Sequence, residues 1–153
     1  MIQKDVFQQT SLNQIENLMV AKIIAHDIPN GCTMAESFGT ELILPLNKEL
    51  ATGALTTIAV SSNEIALSLG FVQGISIQNQ IRGRICTLIS GENGVLVQID
   101  CGNIWVAGVS LKASRDMNLR EGISVYCLAK TVAFSYRPEI VLSKALIRCL
   151  TID

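Results

Sequence analysis

Short apolar runs separated by turn residues make up most of this chain. Within residues 95–100, Val95, Val97 and Ile99 share one face of an extended chain, while Gln98 and Asp100 lie on the other. Such alternation is typical of a strand with one buried face. Many short strands with Gly, Asn and Pro turns between them predict an all-β barrel or sandwich. The predicted strands lie at 18–25, 32–38, 41–46, 55–60, 65–69, 81–89, 95–101, 104–109 and 125–134.

One short helix interrupts this pattern in the second half. Ser110 has the side chain of a helix N-cap, and Asn118 suits the left-handed residue that ends a helix. Apolar residues recur at helical spacing in the C-terminal tail, 138–153. That spacing predicts a short amphipathic helix there, and a strand through residues 140–142 is the alternative.

The two halves of the chain follow the same rhythm. Residues 17–23 can be laid over residues 79–85 with an offset of 62, and Asn-Gly turns at 30–31 and 93–94 nearly coincide under it. A repeat of this kind predicts two similar β-units side by side. The predicted division is a polar linker or tail at 1–16, a first unit at 17–75, a second unit at 76–137 and a tail at 138–153.

Composition and charge exclude several classes of function. The 153 residues are 49% hydrophobic, which allows a substantial core, and the net charge of −1 gives no basic surface for nucleic acid. No apolar run is long enough to span a membrane, and the polar N-terminus lacks the apolar core of a signal peptide. We therefore expect a cytoplasmic protein that binds no nucleic acid and does not insert into membranes.

The sequence contains no pattern typical of catalysis or of a metal site. The five cysteines form no Cys-x-x-Cys pair, so we interpret them as reduced core residues. A single histidine, His26, cannot supply a zinc cluster. No nucleophile motif, carboxylate pair or G-x-x-x-x-G-K-[ST] loop is present. We expect no catalytic residues, no direct metal ligands and no cofactor.

Lys130 and Thr131 are the most informative residues of the last predicted strand. They stand in an otherwise apolar run, and Lys130 shares a strand face with Tyr126, Leu128 and Val132. A buried lysine needs a compensating anion. The alternative is that its ammonium group extends from the barrel edge into water. The residues alone leave both interpretations open.

Five motifs of the second half occur in a characteristic order, namely Ser76-Ile77-Gln78-Asn79, Arg82-Gly83-Arg84-Ile85, Ser110, Leu119-Arg120-Glu121-Gly122 and Val125 to Thr131. Together they resemble the molybdate/tungstate-binding Mop family, also called the TOBE domain. The first half, through residues 21–27, Gly31, 41–46 and 63–69, is similar to the segment that follows the nucleotide-binding domain in the ATPase subunit of molybdate ABC transporters. The resemblance implies two tandem five-stranded barrels of the OB-fold type, with one short helix in the second.

The resemblance also implies an oxyanion site. Carried over by position, its residues are Ser76, Ile77, Gln78, Ser110, Lys130 and Thr131. Gln78 stands where the family usually has arginine, which removes a cation and a fork of hydrogen-bond donors. The amide of Gln78 is a neutral donor in its place.

The implied function is binding of molybdate or tungstate by a regulatory domain of a transporter ATPase subunit. Its partners would be a second copy of the chain, as a dimer or higher oligomer, and the ATPase domain at the inner face of the membrane. One alternative is a separate cytosolic molybdate-storage protein with the same fold. Another is a ligand-free interaction or dimerisation module, which is suggested by the presence of Gln78 where the family usually has arginine.

Overall fold

The protein consists almost entirely of β-strands in the computed structural model, which describes residues 7–11 and 14–142. One helix, α1 (Leu111–Asp116), and two 3-10 turns, Ser62–Glu64 and Thr131–Ala133, complete the described elements. The strands are β1 Phe7–Ser11, β2 Gln14–Asp27, β3 Cys32–Ser37, β4 Thr40–Pro45, β5 Leu55–Ser61, β6 Ala66–Ser68, β7 Asn79–Gly91, β8 Gly94–Asp100, β9 Ile104–Val109, β10 Ser124–Ala129 and β11 Ser135–Tyr136.

The strands form two antiparallel sheets. The first has the order β11-β5-β2-β3-β4, with β1 paired to the start of β2, and the second has the order β6-β10-β7-β8-β9. This confirms the predicted all-β class with two tandem five-stranded units and one short helix in the second. The predicted N-cap is also confirmed, since Ser110 caps α1, and Asn118 has the left-handed φ of 53°.

Each half of the chain contributes one strand to the sheet of the other half. β6 comes from the first half but pairs with β10, so that Leu67 lies opposite Cys127. β11 comes from the second half but pairs with β5, so that Ser135 lies opposite Ala59. The two sheets are therefore interlocked by a reciprocal exchange of short strands. The residue ranges predicted for the two units stay predictions.

Irregularities of the backbone recur in both halves. The pairing of β2 with β3 shifts register between Ile23 and Ala25, and that of β7 with β8 shifts between Ile85 and Thr87. Both shifts fit the offset of 62 read from the sequence. Positive φ angles also recur in pairs of turn glycines, namely Gly31 with Gly94, Gly39 with Gly102 and Gly53 with Gly122. The offset grows to 69 in the last pair because the connection between β9 and β10, which contains α1, is longer than the connection between β4 and β5 in the first half.

Two buried asparagines join the sheets through hydrogen bonds. Asn17 of the first sheet bonds to an outer strand of the second, and Asn79 of the second sheet bonds to an outer strand of the first. Asn17, on β2, donates from Nδ2 to the Val106 carbonyl at 2.9 Å and accepts from the Val106 N–H at 2.8 Å. Asn79, at the start of β7, accepts from the Ile43 N–H at 2.8 Å and donates to its carbonyl at 3.0 Å. These equivalent residues hold β9 and β4 in place, because each satisfies both backbone groups of one residue there.

One continuous hydrophobic core runs through both sheets, and it includes a pair of thiols. Cys101 and Cys127 are buried with their sulfurs 3.9 Å apart. The contact with Cys101, together with burial, raises the pKa of the Cys127 thiol well above its ordinary value. Gly83 on β7 makes this packing possible, because a Cβ there would lie 2.6 Å from the Cys101 sulfur. The largest fully buried core side chains are Trp105, Met19, Ile23, Leu42, Leu44, Ile58, Ile65 and Ile99.

The structure corrects three predictions at the ends of the units. The strand predicted at 125–134 ends at Ala129, and a 3-10 turn follows it. Residues 138–142 form neither a helix nor a strand, and the rest of the predicted tail helix lies outside the described residues. Part of the segment predicted as a linker at 1–16 forms β1 and the start of β2.

The segment after β11 packs on the outer face of the first sheet. Ile140 and Leu142 contact a small cluster of Leu18, Val20 and Ala59. The Arg137 guanidinium donates to the nearly buried carboxylate of Glu16 through two nitrogens, one of them at 2.9 Å. This pair joins the two ends of the described chain, since planar guanidinium and carboxylate groups match in geometry.

Candidate functional site

Three of the six predicted site residues line one cleft of about 450 Å³. Ile77 lies in the connection between β6 and β7, Ser110 lies at the end of β9, and Lys130 follows β10. The first half of the chain closes the other side with the 3-10 turn Ser62–Glu64 and β6. Asn63, Glu64, Ile65, Ala66, Leu67, Gly108, Val109, Ala113, Met117 and Leu128 also line this cleft.

Ser110 is held in a fixed orientation at the cleft. Its Oγ accepts a hydrogen bond from the Ala113 N–H at 2.9 Å, which caps α1. The hydroxyl hydrogen is left to donate to a neighbour. With six residues, α1 is too short for its dipole to contribute much, so the hydroxyl itself is the useful group.

Lys130 is exposed rather than buried. It is the residue that precedes the second 3-10 turn, and within residues 14–142 it has no ion pair. Of the two interpretations that the sequence left open, the exposed one agrees with the structure, because the strand ends one residue earlier. Lys130 nonetheless lines the cleft, and it is the cationic residue among those that do so.

Thr131 does not line the cleft. Its 3-10 turn packs against β4 of the first sheet. Its Oγ1 is buried and has no hydrogen-bond partner among the described residues. An unsatisfied buried hydroxyl costs about 1–3 kcal/mol. The adjacent residues Lys130 and Thr131 therefore point into different environments.

Ser76 and Gln78 also lie outside the cleft. Both are exposed and precede β7 rather than belonging to it. Gln78 lines a separate cleft of about 420 Å³ between β4 and β7, together with Thr40, Glu41 and Arg82. Of the predicted opening motif, only Ile77 reaches the cleft of Ser110 and Lys130, although Ile77 and Gln78 together line a further cleft of about 300 Å³.

The first half of the chain contributes to the cleft, which the sequence pattern did not indicate. Asn63 and Glu64 belong to the first 3-10 turn, which is equivalent to the turn after Lys130 with an offset of 69. Glu64 brings a carboxylate to the same cleft as Lys130, so the lining side chains include one acidic and one basic group. A second alignment of the closing strands, with an offset of 69 rather than 62, would have revealed this turn.

The described chain offers little else for ligand chemistry. Residues 7–11 and 14–142 contain no group of three or more His, Cys, Asp and Glu side chains placed to hold a metal ion. Within the same ranges, no helix has the length and apolar character needed to cross a membrane. The polar residues that line the cleft, Ser110, Asn63, Lys130 and Glu64, carry hydroxyl, amide, ammonium and carboxylate groups.

Comparison with known proteins identifies relatives by sequence. The chain is 30% identical over 86 residues to the molybdenum import ATP-binding protein ModC of Rhizobium etli, covering 55% of this chain and 24% of that protein. It is 35% identical over 83 residues to ModC of Mannheimia succiniciproducens, covering 53% of this chain and 23% of that protein. The chain thus matches about a quarter of the length of these relatives. No protein-family model matches it.

A smaller relative is covered almost completely. The chain is 33% identical over 61 residues to a probable molybdenum-pterin-binding protein of Haemophilus influenzae, which is 39% of this chain and 88% of that protein. In structure, the chain resembles the cytoplasmic molybdate-binding protein ModG, crystallised with molybdate bound, with a TM-score of 0.67 and 18% identity. That match covers 78% of this chain and 94% of that one.

The structural match defines a class, that of proteins built from tandem OB-type β-units. The sequence match is more specific, because it covers most of the Haemophilus protein at more than 30% identity. The chain belongs to the Mop (TOBE) family.

Proposed function

We propose that this chain binds a tetrahedral oxyanion, molybdate or tungstate, as a regulatory domain of a molybdate transporter ATPase. The observation that carries the proposal is the cleft in which Ile77, Ser110 and Lys130 meet in a Mop-family chain. The relatives named molybdenum import ATP-binding proteins support the transporter context. The ATPase domain would be the partner, and the location would be the cytoplasmic side of the membrane.

The groups in the cleft suit an oxyanion that is held mainly by hydrogen bonds. Lys130 supplies one positive charge and up to three N–H donors. Ser110 donates through its hydroxyl, and Ile77 forms an apolar wall. Hydrogen bonds to a charged group contribute about 1.5–3 kcal/mol each, so a few such donors provide useful affinity. Glu64 opposes the ion, and the site is thus expected to bind less tightly than one with an added arginine.

Ser76, Gln78 and Thr131 remain proposed ligands, but they would act differently. Ser76 and Gln78 are exposed, so they are free to approach an ion held by a second copy of the chain. Thr131 would have to turn its buried hydroxyl away from β4. We therefore rank Lys130 and Ser110 above these three residues.

Regulation requires that the bound ion prefer one arrangement of paired domains. Oxyanion at the cleft would favour an arrangement in which the attached ATPase domain works more slowly. A ligand shifts such an equilibrium only by the difference between its affinities for the two states. Binding measured on the isolated chain is thus the first requirement.

Calorimetric titration of the purified chain with sodium molybdate, tungstate and sulfate tests the binding step. We expect heat with molybdate or tungstate, and about a tenfold loss of affinity in Lys130→Ala, the lower end for a hydrogen bond to a charged group. Lys48→Ala is the matched control, because Lys48 is also exposed but does not line the cleft. No heat and no thermal shift with any of the ions refutes the proposal and favours the ligand-free interaction module.

A second candidate is a separate cytosolic storage protein. It is favoured by the match to ModG, which covers 94% of that chain, and by the small Haemophilus relative. Storage predicts a closed oligomer that holds several ions, whereas regulation predicts a dimer. Mass measurement in solution separates the two, since a hexamer favours storage.

A further inference from the structure

The first half of the chain places Asn63 beside the groups that carry the proposed function. Asn63 belongs to the 3-10 turn Ser62–Glu64 and lines the cleft of Ser110 and Lys130. It also lines a neighbouring cleft of about 440 Å³ beneath the β7–β8 hairpin. The residue therefore stands on the rim between two depressions, both of which reach Ser110.

The backbone of this turn is fixed on two sides. Ser62 is fully buried, and its Oγ accepts a hydrogen bond from the Ile15 N–H at 3.0 Å. Ser61 caps the turn by accepting from the Asn63 N–H at 3.2 Å. The position of the Asn63 Cα is thus determined by the fold, although its side chain is exposed.

A glycine on the opposing strand makes room for the Asn63 side chain. A Cβ on Gly108 of β9 would lie only 2.7 Å from Asn63 Oδ1, so a side chain there would displace the Asn63 amide. Because Gly108 has no side chain, the amide lies against β9, and it lines the same two clefts as Ser110. Within residues 14–142 this amide has no hydrogen-bond partner of its own. A positioned amide without a partner has its donors free for a ligand.

We infer that Asn63 is a further ligand-contacting residue, which donates from its amide to an oxyanion held by Lys130 and Ser110. This inference rests on the proposed function and adds a residue from the first half of the chain to it. The amide contributes donors without charge. Such donors matter here, because Glu64 offsets the charge of Lys130 and Gln78 lies in another cleft. The inferred site therefore needs both halves of the chain.

Titration with sodium molybdate of the wild type and of Asn63 variants tests this role. We expect Asn63→Ala to weaken binding about tenfold, as for loss of one hydrogen bond to a charged group. Asn63→Asp should weaken it further, because a carboxylate repels the anion, and this excess loss should shrink in high salt. If the role of Asn63 were purely structural, Asn63→Asp would lose no more affinity than Asn63→Ala, and the loss would not depend on salt.

Two further variants make the test specific. Asn93→Ala removes an exposed amide that lines the neighbouring cleft alone, and we expect unchanged affinity. Gly108→Ala displaces the Asn63 side chain and should weaken binding as Asn63→Ala does, with no further loss in the double variant. Thermal unfolding should change little in Asn63→Ala, because its side chain is exposed.

The outcomes separate the two proposals. If the wild type binds molybdate, Lys130→Ala weakens binding and Asn63→Ala does not, the role of Asn63 is refuted while the proposed function stands. If the wild type binds neither molybdate nor tungstate, the proposed function fails, and the role of Asn63 fails with it.

Discussion

The buried asparagines Asn17 and Asn79 are expected to contribute more to stability than their polar character implies. Asn79→Ala removes two hydrogen bonds and leaves the N–H and carbonyl of Ile43 without their partner. Asn17→Ala removes the same pair of bonds at Val106 and a third, at 3.2 Å, to the Val60 carbonyl. Neither alanine can replace these bonds, and both asparagine side chains are buried in the native fold.

The expected magnitude follows from the number of groups left unsatisfied. Each buried backbone group without a partner costs about 1–3 kcal/mol. Part of this cost is recovered when the outer strand relaxes towards water, so we expect the free energy of unfolding to fall by about 2–4 kcal/mol in Asn79→Ala. In Asn17→Ala the free energy of unfolding should fall by as much or more. For a small domain, a loss of this size is a large fraction of the total stability.

Urea denaturation followed by tryptophan fluorescence measures the effect, since Trp105 is buried on β9. Asn30→Ala is the matched control, because the Asn30 amide bonds only to Asp27 in an exposed turn. We expect the control to change the free energy of unfolding by less than about 0.5 kcal/mol. If both core variants behave like this control, the asparagines do not hold β4 and β9 as described.

Five further variants test other features of the structure. Gly83→Ala should destabilise the fold by about 1–3 kcal/mol, because its Cβ would lie 2.5 Å from Ile99 Cγ2 and 2.8 Å from the Asp100 carbonyl oxygen. Gly70→Ala, with open space around it, should be neutral in the same urea experiment. Glu64→Gln should tighten molybdate binding several-fold in calorimetry, because it removes a negative charge from the cleft, and unchanged affinity would show that Glu64 does not face the ion. Thr131→Val should leave the melting temperature unchanged or raise it, because a methyl group replaces an unsatisfied hydroxyl; a clear loss of molybdate affinity would instead show that Thr131 is a ligand. The raised pKa of Cys127 means that the folded state favours the neutral thiol, so its contribution to stability is complete below an ordinary thiol pKa of about 8.5 and is lost as pH rises above that value. Stability should therefore decline as the pH rises above about 8.5, and a decline of equal slope in Cys127→Ala would assign it to other groups.

The sequence pattern was sufficient for the fold class and for the local elements. Alternating residues located the strands of both halves, and Ser110 marked the start of α1 correctly. These predictions depend on short-range physical preferences, such as the period of side chains along a strand and the capping of a helix. The predicted fold was therefore accurate where neighbours in sequence decide the structure.

The candidate site was harder to predict because distant segments form it. The sequence left open whether Lys130 is buried, since the apolar run continues to Phe134, but the chain turns after Ala129 and Lys130 is exposed. Asn63 could not be assigned to the cleft, because its position depends on the turn of the first half packing over Gly108 of the second. The exchange of β6 and β11 likewise depends on pairing across the whole chain, which no local pattern encodes.

The reciprocal exchange of β6 and β11 has a consequence for how the protein folds. β5 obtains its outer partner from Ser135 and Tyr136, which the ribosome produces long after β5 itself. The first sheet is thus incomplete until nearly all of the described chain has been synthesised. Contacts of such large sequence separation slow folding. They also couple the two sheets into one cooperative unit, so that a fragment of either half would expose an unpaired strand edge.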